Sequence, residues 1–484
     1  MRSIGGRQLA RSIGHWSEGQ GTRPAYIRLA DAIRTLILDG RLPLETRLPG
    51  ERELAGALEV SRTTVTAAYD LLRTTGYAAS RQGSGTRSAL PANRSGTSAG
   101  SPWTPFGPDG SDILDLAHAA PEAPGHALTT AYQAALEQLP RQLPTCGYNL
   151  FGLPELRAVI AARFTARGLA TEPEQILVTS GAQHAFSLVL SLITDPGDRV
   201  LIDHPTYPNA IDAIRRAMAR PVPVPLLEDG WDLDAFEAAV RQTAPRLAYI
   251  VPDFHNPTGL LASDDERRAM ASALGRNRTL TVVDETLAEL PLEGQVPSPA
   301  ATYLPRGLAI TIGSASKTLW GGLRVGWIRA EESLIRRLAA VRASIDISSP
   351  VIDQLVVAEL IRVLDDVLSE RLPELRERRE VLLATLAEAV PDWRVRRPAG
   401  GLVLWCDMGR PLSSSMVMAA ERYGIRLAGG PRFGVEGAFE RRLRLPYTLP
   451  SDVLRQAGTA IGQAFSAIGA APPPATGQLQ AVFA

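Results

Sequence analysis

Five short apolar runs, at residues 175–180, 199–203, 247–251, 279–283 and 308–312, mark the middle of this chain, and each passes straight into turn chemistry of Gly, Pro, Asp, His or Ser. Runs of that length bounded by turn residues read as buried strands. Helical patterns lie between them: residues 153–166 carry one, and Gly181-Ala182-Gln183 opens another running through Phe186, Leu188, Val189 and Leu192. Alternation of strand and helix dictates an α/β sheet, and such sheets present ligands to the C-terminal ends of their strands.

The polar residues gather at those ends. The first run leads into Gly181, where a helix N-terminus would offer free backbone N–H groups as a phosphate cradle. The others lead to Tyr207, to Asn256, to Asp284 and to Lys317. Lys317 is the single lysine of the chain, every other cationic side chain being arginine. A guanidinium stays protonated and delocalised and cannot act as an amine nucleophile near neutral pH. A side-chain imine with a carbonyl cofactor therefore has to form at Lys317. The set fits pyridoxal 5'-phosphate. Lys317 would form the internal aldimine and Asp284 would pair with a protonated pyridine nitrogen. Ser180, Gly181, Ala182, Gln183, Ser314 and Arg324 would hold the phosphate, Asn256 would donate to the ring oxygen, and Tyr207 would stack on the ring. Taken singly, Tyr207 also reads as an aromatic in a turn, Asn256 as a turn former before proline, and Arg324 as a surface cation. Their joint order along the chain speaks for the cofactor.

The N-terminal part follows a different pattern. Residues 25–39 carry a helical stripe of Ile27, Ala30, Ile33, Leu36 and Ile37, ended by Gly40. A second short helix is expected over 49–58, then a turn at Glu59-Val60. Ser61 is a good N-cap for a third helix, with Val65, Ala68, Tyr69 and Leu72 on its buried face. Residues 77–86, with Gly83 and Gly85, suit a β-wing. Two short helices joined by a tight turn and followed by a wing make a winged helix-turn-helix, whose second helix points its N-terminal end, here Arg62, Thr63 and Thr64, at the major groove. A helical protein-interaction module is the alternative on periodicity alone. Ten arginines against seven carboxylates over 23–87 make the unit mildly basic. The whole chain has zero formal net charge, so DNA affinity has to come from a local patch.

Composition supplies the boundaries and the exclusions. Residues 88–111, rich in Gly, Ser and Pro, read as a linker. The expected organisation is a flexible arm over 1–23, the winged unit over 24–87, the linker, a large α/β domain over 112–331, a smaller α+β lobe over 332–468 and a loose tail over 469–484. Cys146 and Cys406 form no disulfide framework and no metal-ligand spacing. No apolar run reaches the length of a membrane span and no apolar signal core opens the chain, so a cytoplasmic, non-membrane protein is expected.

Two resemblances add to this reading. Leu48-Pro-Gly-Glu-Arg52-Glu-Leu-Ala55, Leu58-Glu-Val-Ser-Arg62-Thr-Thr-Val65 and Gly83-Ser-Gly-Thr86 resemble the winged-helix domain of the GntR family. The resemblance implies DNA contact by Arg52, Arg62, Thr63, Thr64 and Gly83; Gly50 stands where serine is commoner. Tyr148-Asn-Leu-Phe-Gly152, Ser180-Gly-Ala-Gln183, Asn256-Pro-Thr-Gly259, Asp284, Ser314-Ala-Ser-Lys317, Gly322-Leu-Arg324 and Arg444-Leu-Pro-Tyr447 resemble class I/II aminotransferases of fold type I. That resemblance implies a homodimer with composite sites, in which Tyr148 reaches the partner subunit's cofactor phosphate, and a substrate α-carboxylate gripped by Arg444. The residue three after Asp284, usually a tyrosine that hydrogen-bonds the ring oxygen, is Leu287; Thr286 could substitute. Together the halves resemble the MocR (PdxR-like) transcriptional regulators. This implies a cofactor-dependent regulator that binds a double-stranded DNA operator and senses an amine, an amino acid or a B6 vitamer. The alternative is an aminotransferase carrying an accessory DNA-binding domain.

Overall fold

The computed structural model describes residues 3–14, 16, 24–38, 41–81, 85–89 and 113–470. Residues 90–111 of the linker expected over 88–111, residues 471–484 of the tail expected over 469–484, and the wing-tip residue Gly83 lie outside the described residues.

Helix α1 (Gly6–Ile13) precedes α2 (Ala25–Leu38), α3 (Glu51–Leu58) and α4 (Arg62–Thr74), and the antiparallel hairpin of β1 (Ala78–Arg81) and β2 (Gly85–Ser88) follows. The stripe read from the sequence becomes a core of Leu29, Ile33, Ile37, Leu54, Val65, Tyr69 and Leu72. The helix-turn-helix turn closes at Glu59, whose left-handed φ of 55° ends α3. Ser61 then caps α4, its Oγ accepting from the Thr64 N–H at 3.1 Å. Arg73 donates from Nη1 to Thr86 Oγ1 at 3.0 Å and so ties α4 to the wing.

The expectation of a flexible arm over 1–23 is corrected for residues 6–13. α1 buries Leu9 completely in the winged-helix core, and its first N–H donates to Glu53 Oε1 at 2.6 Å. An acid at a helix N-terminus meets both an orphan donor and the positive end of the dipole. The sequence GRQLARSI is too short and polar to signal a helix by itself. Docking supplies what propensity does not.

The body starts with the three-residue strand β3 (Leu114–Leu116). A seven-stranded sheet follows, made of β4 (Ile176–Thr179), β5 (Arg199–His204), β6 (Arg220–Pro225), β7 (Leu247–Ile250), β8 (Leu280–Asp284), β9 (Ala309–Ser314) and β10 (Gly326–Arg329) in the order β4-β10-β9-β8-β7-β5-β6. Only β10 runs antiparallel to its neighbours. β4, β7 and β9 are buried along their whole length, as a sheet covered on both faces requires. Helix α5 (Ala182–Ile193) packs Phe186, Val189 and Ile193 onto one face.

The C-terminal lobe combines helix α6 (Leu364–Ala389), strands β11 (Arg394–Val395), β12 (Val403–Asp407), β13 (Ile425–Gly429) and β14 (Arg442–Pro446), and helix α7 (Ser451–Ala470). Its sheet runs β11-β12-β14-β13-β3. The strand that opens the body thus pairs in parallel with β13, Leu116 opposite Leu427. The expected assignment of 112–331 to the large domain is corrected here: both ends of the body build the lobe. Among the described residues no helix is long and apolar enough to cross a membrane.

Candidate functional site

A cavity of about 230 Å³ opens where the large sheet's C-terminal ends meet the lobe. Ala182, Gln183, Tyr207, Asn256, Asp284, Ser314, Lys317, Arg324 and Arg444 all line it, although they come from seven separate stretches of chain. Most are placed by an element end, whereas Arg444 sits in the middle of β14. Asp284 is the last residue of β8, Lys317 stands three residues beyond β9, and Gln183 lies in the first turn of α5.

Lys317 donates from Nζ to the Ala119 carbonyl at 2.7 Å. Burial, then the charges of Arg444 and Arg324, bring its pKa down to about 8, with Asp284 opposing. A large share of the amine is therefore neutral and nucleophilic slightly above neutral pH. Asp284 accepts from the Tyr249 hydroxyl at 2.7 Å on Oδ2 and from the Thr286 N–H at 2.9 Å on Oδ1. Burial, then Asp284, raise the pKa of Tyr249 well above its ordinary value, so the phenol keeps its proton and stays a donor.

The expected phosphate cradle has a steric rule of its own. Gly181 caps α5 at φ 96°, and a Cβ there would lie 2.7 Å from Arg324 Nη2. The glycine lets the Arg324 guanidinium cross over the helix N-terminus, where it donates to the Ser180 carbonyl at 2.9 Å. Arg324 is solvent-exposed and holds a left-handed φ of 50°. Ser316 joins this end, its N–H donating to Ser314 Oγ at 3.1 Å. Ser180 and Gly181 themselves stand behind the lining. The Ser180 hydroxyl donates to Asp346 Oδ2 at 3.3 Å rather than facing the cavity. Tyr148 is 68% exposed and lies outside its own chain's cavity.

Tyr207 lines the cavity with its hydroxyl accepting from Asn209 Nδ2 at 2.9 Å. Leu287 faces the cavity as an apolar wall, and Thr286 next to it has a buried Oγ without a partner. Asn256 Oδ1 and Arg444 Nε are likewise buried without partners. Arg444 packs on the Phe433 ring at 5.1 Å and donates from Nη2 to the Ala117 carbonyl.

These residues fit pyridoxal phosphate. One end offers backbone N–H groups, hydroxyls and a guanidinium for a phosphate, the floor a carboxylate for a ring nitrogen, and the wall unmet polar atoms for ring substituents. Sequence reasoning missed Tyr249, Ser316, Arg432 and Phe433. A tyrosine inside an apolar strand reads as core, and the two lobe residues carry no local signal of where the lobe folds back.

On the winged helix, Arg52, Arg62 and Thr63 are exposed and Thr64 is half-buried at the start of α4. Arg62 pairs with Glu51 Oε2 at 3.3 Å while remaining 58% exposed. That pair is weak enough for a phosphate to displace.

Residues 111–461 match the family Aminotransferase class I and II, and residues 25–87 match Bacterial regulatory proteins, gntR family. Relatives include the 2-aminoadipate transaminase of Thermus thermophilus, 31% identical over 361 residues that cover 72% of this chain and 86% of that protein. The probable rhizopine catabolism regulatory protein MocR of Rhizobium meliloti is 28% identical over 432 residues, 84% of this chain and 86% of its own. A similar solved structure is LysN, the α-aminoadipate aminotransferase of Thermus thermophilus complexed with N-(5'-phosphopyridoxyl)-L-leucine, with TM-score 0.69, 28% identity and coverage of 74% of this chain and 93% of that one.

Proposed function

The chain belongs to the class I and II aminotransferase family and carries a GntR-family regulatory domain at its N-terminus, and from this premise we propose that it is a pyridoxal phosphate-dependent, DNA-binding transcriptional regulator that senses an amine, an amino acid or a B6 vitamer at Lys317. In this reading residues 24–87 grip an operator in the cytoplasm and residues 112–468 form the sensing body. Similarity over 84–88% of this chain to two HTH-type transcriptional regulators and a probable regulatory protein supports it.

One observation carries the sensing part. Lys317 and Arg444, the two residues a bound ligand would engage, donate to the carbonyls of Ala119 and Ala117. Those carbonyls belong to the segment that follows β3, immediately after the linker from the winged helix. A ligand that takes these donors leaves a buried carbonyl at Ala117 and a half-buried one at Ala119 seeking partners, which favours a shift of the segment. That shift is the proposed route to the DNA-binding head.

Ala182, Gln183, Ser314 and Arg324 would hold the cofactor phosphate, with Ser180 and Gly181 shaping the cradle. Asp284 would face the ring nitrogen, Asn256 the ring oxygen and Tyr207 the ring face. When bound, pyridoxal phosphate supplies an aldehyde that reacts with amines and a ring that takes up electrons. Lys317 presents at Nζ an amine that gives up its proton more readily than an ordinary lysine, Tyr249 keeps its proton on the hydroxyl that donates to Asp284, and Leu287 forms an apolar wall beside them. Arg52, Arg62, Thr63 and Thr64 would contact DNA, together with Gly83.

A homodimer completes the proposal. Leu143, Tyr148 and Ile345 are 71%, 68% and 53% exposed, and Asp346, next to Ile345, bonds the Ser180 hydroxyl of the cradle. Apolar exposure beside a site fits a partner subunit, with Tyr148 reaching the partner's cofactor phosphate.

Full-length protein titrated onto operator DNA without cofactor, with cofactor, and with cofactor plus amine should differ in Kd by at least about fivefold. Identical affinities in all three states would refute the coupling. The second reading, an aminotransferase with an accessory DNA-binding domain, is favoured by the presence of Asp284, Lys317, Arg324 and Arg444 in one cavity. Sustained turnover of an amino donor with a 2-oxoacid would decide for it. Leu287, which cannot donate a hydrogen bond, speaks for the sensor.

A further inference from the structure

The segment that follows β3 is held outside the cavity as well as inside it. Within the cavity, Arg444 donates to the Ala117 carbonyl and Lys317 to the Ala119 carbonyl. Further along, Arg371 donates from Nη2 to the Glu122 carbonyl at 2.6 Å. From Nη1 the same guanidinium donates to the carbonyls of Thr318 and Leu319, at 2.5 and 2.7 Å. Those two carbonyls close the four-residue helix Ala315–Thr318, which carries Lys317.

A helix that short cannot hold itself, because it makes few internal hydrogen bonds and its last carbonyls have no donor within it. A cation at that end meets the carbonyls and the negative end of the helix dipole together. The planar fork of an arginine serves carbonyls on two sides at once, which the single nitrogen of a lysine does less well. Arg371 stands on α6 of the lobe, so one half-buried side chain joins the lobe, the Lys317 helix and the entry segment. It does not line the cavity. With Glu122, Glu370 and Glu374 it lines a separate groove of about 630 Å³. A ligand that takes the donors of Lys317 and Arg444 therefore leaves the Arg371 bonds in place, and Glu122 stays fixed while the stretch 117–121 is released.

We infer that Arg371 is a positioning residue, which fixes the Lys317 helix to the entry segment, aims Nζ into the cavity and serves as the pivot about which the released segment moves. The inference rests on the reading that the cofactor is captured at Lys317 and that the entry segment carries the signal, and it adds the residue that joins the two. Without Arg371 the amine loses its fixed aim, and release at Ala117 and Ala119 has no anchored end to work against.

The test compares the full-length natural protein with Arg371→Gln, Arg371→Lys and Arg378→Gln. Two quantities are read: the rate at which the visible band grows when pyridoxal phosphate is added to cofactor-free protein, and the deuterium uptake of the peptide spanning residues 113–125 before and after loading. Arg371→Gln should slow capture about tenfold or more and should show high uptake that loading no longer changes. Arg371→Lys keeps the cation without the fork and should recover part of both. Arg378 lies further along α6 and donates to the Thr448 carbonyl at 2.8 Å instead, so Arg378→Gln should behave as the natural protein does. Capture at the natural rate by Arg371→Gln would overturn the inference, as would an equal loss in Arg378→Gln or an Arg371→Lys as slow as Arg371→Gln. Should Arg371→Gln not fold by circular dichroism, slower capture by a folded Arg371→Lys supports the inference and an unchanged rate overturns it. Failure of the underlying reading has another signature: the natural protein itself develops no band, and borohydride fixes no cofactor on Lys317.

Discussion

Because arginine supplies every other cationic side chain, Lys317→Arg keeps the charge and removes the nucleophile. The variant is expected to lose the cofactor's visible band and any borohydride-fixed label, with folding unchanged by circular dichroism. The environment of Lys317 sets a pH dependence. Its amine loses a proton as pH rises through about 8, so capture of free pyridoxal phosphate should accelerate across that range and level off above it. Arg444 disfavours the protonated lysine; Arg444→Gln removes that cation, raises the lysine pKa and should move the midpoint upward. A midpoint unchanged or lowered would contradict this assignment of charges. Gly181 matters for a steric reason instead. Alanine would bring both a disfavoured φ of 96° and a Cβ 2.7 Å from Arg324 Nη2, so cofactor affinity measured by absorbance titration should fall about tenfold or more. Glycine, lysine and aspartate at strand ends were legible because each has a chemistry few residues share. Tyr249 was not, since its role depends on β7 and β8 lying side by side and bringing its hydroxyl to Asp284.

At the scale of elements, what could be read depended on how much signal each carried. β4, β5, β7, β8 and β9 follow the apolar runs, and α4 starts at its capping serine, because burial on both faces and a cap are local properties of the sequence. Among the elements not read are the eight residues of α1 and the three of β3. Both are stabilised by contacts distant in sequence, through Glu53 and through β13, and neither has a pattern long enough to read alone. The cap gives a measurable case. Ser61→Ala removes the acceptor for the Thr64 N–H and should cost the winged helix about 1 kcal/mol, visible as a lower-temperature first transition in calorimetry and a weaker grip on DNA. Leu9→Ala empties a fully buried position under α1, and about 2–4 kcal/mol of destabilisation is expected there.

At the scale of the whole molecule, the lobe is built from chain that is far apart in sequence, residues 114–116 beside residues 394–446. The same entry segment accepts hydrogen bonds from the candidate ligand residues Lys317 and Arg444, and the proposed coupling would start there. The order of strands has a practical consequence for anyone who cuts the chain. β3 is the outermost strand of its sheet and covers β13. A body fragment starting at residue 112 keeps that cover and should remain monodisperse in light scattering. One starting at residue 118 strips it, leaving the backbone N–H and C=O groups of β13 as an open rim that can template pairing with other chains. That fragment should aggregate even with every candidate ligand residue of the cavity still present.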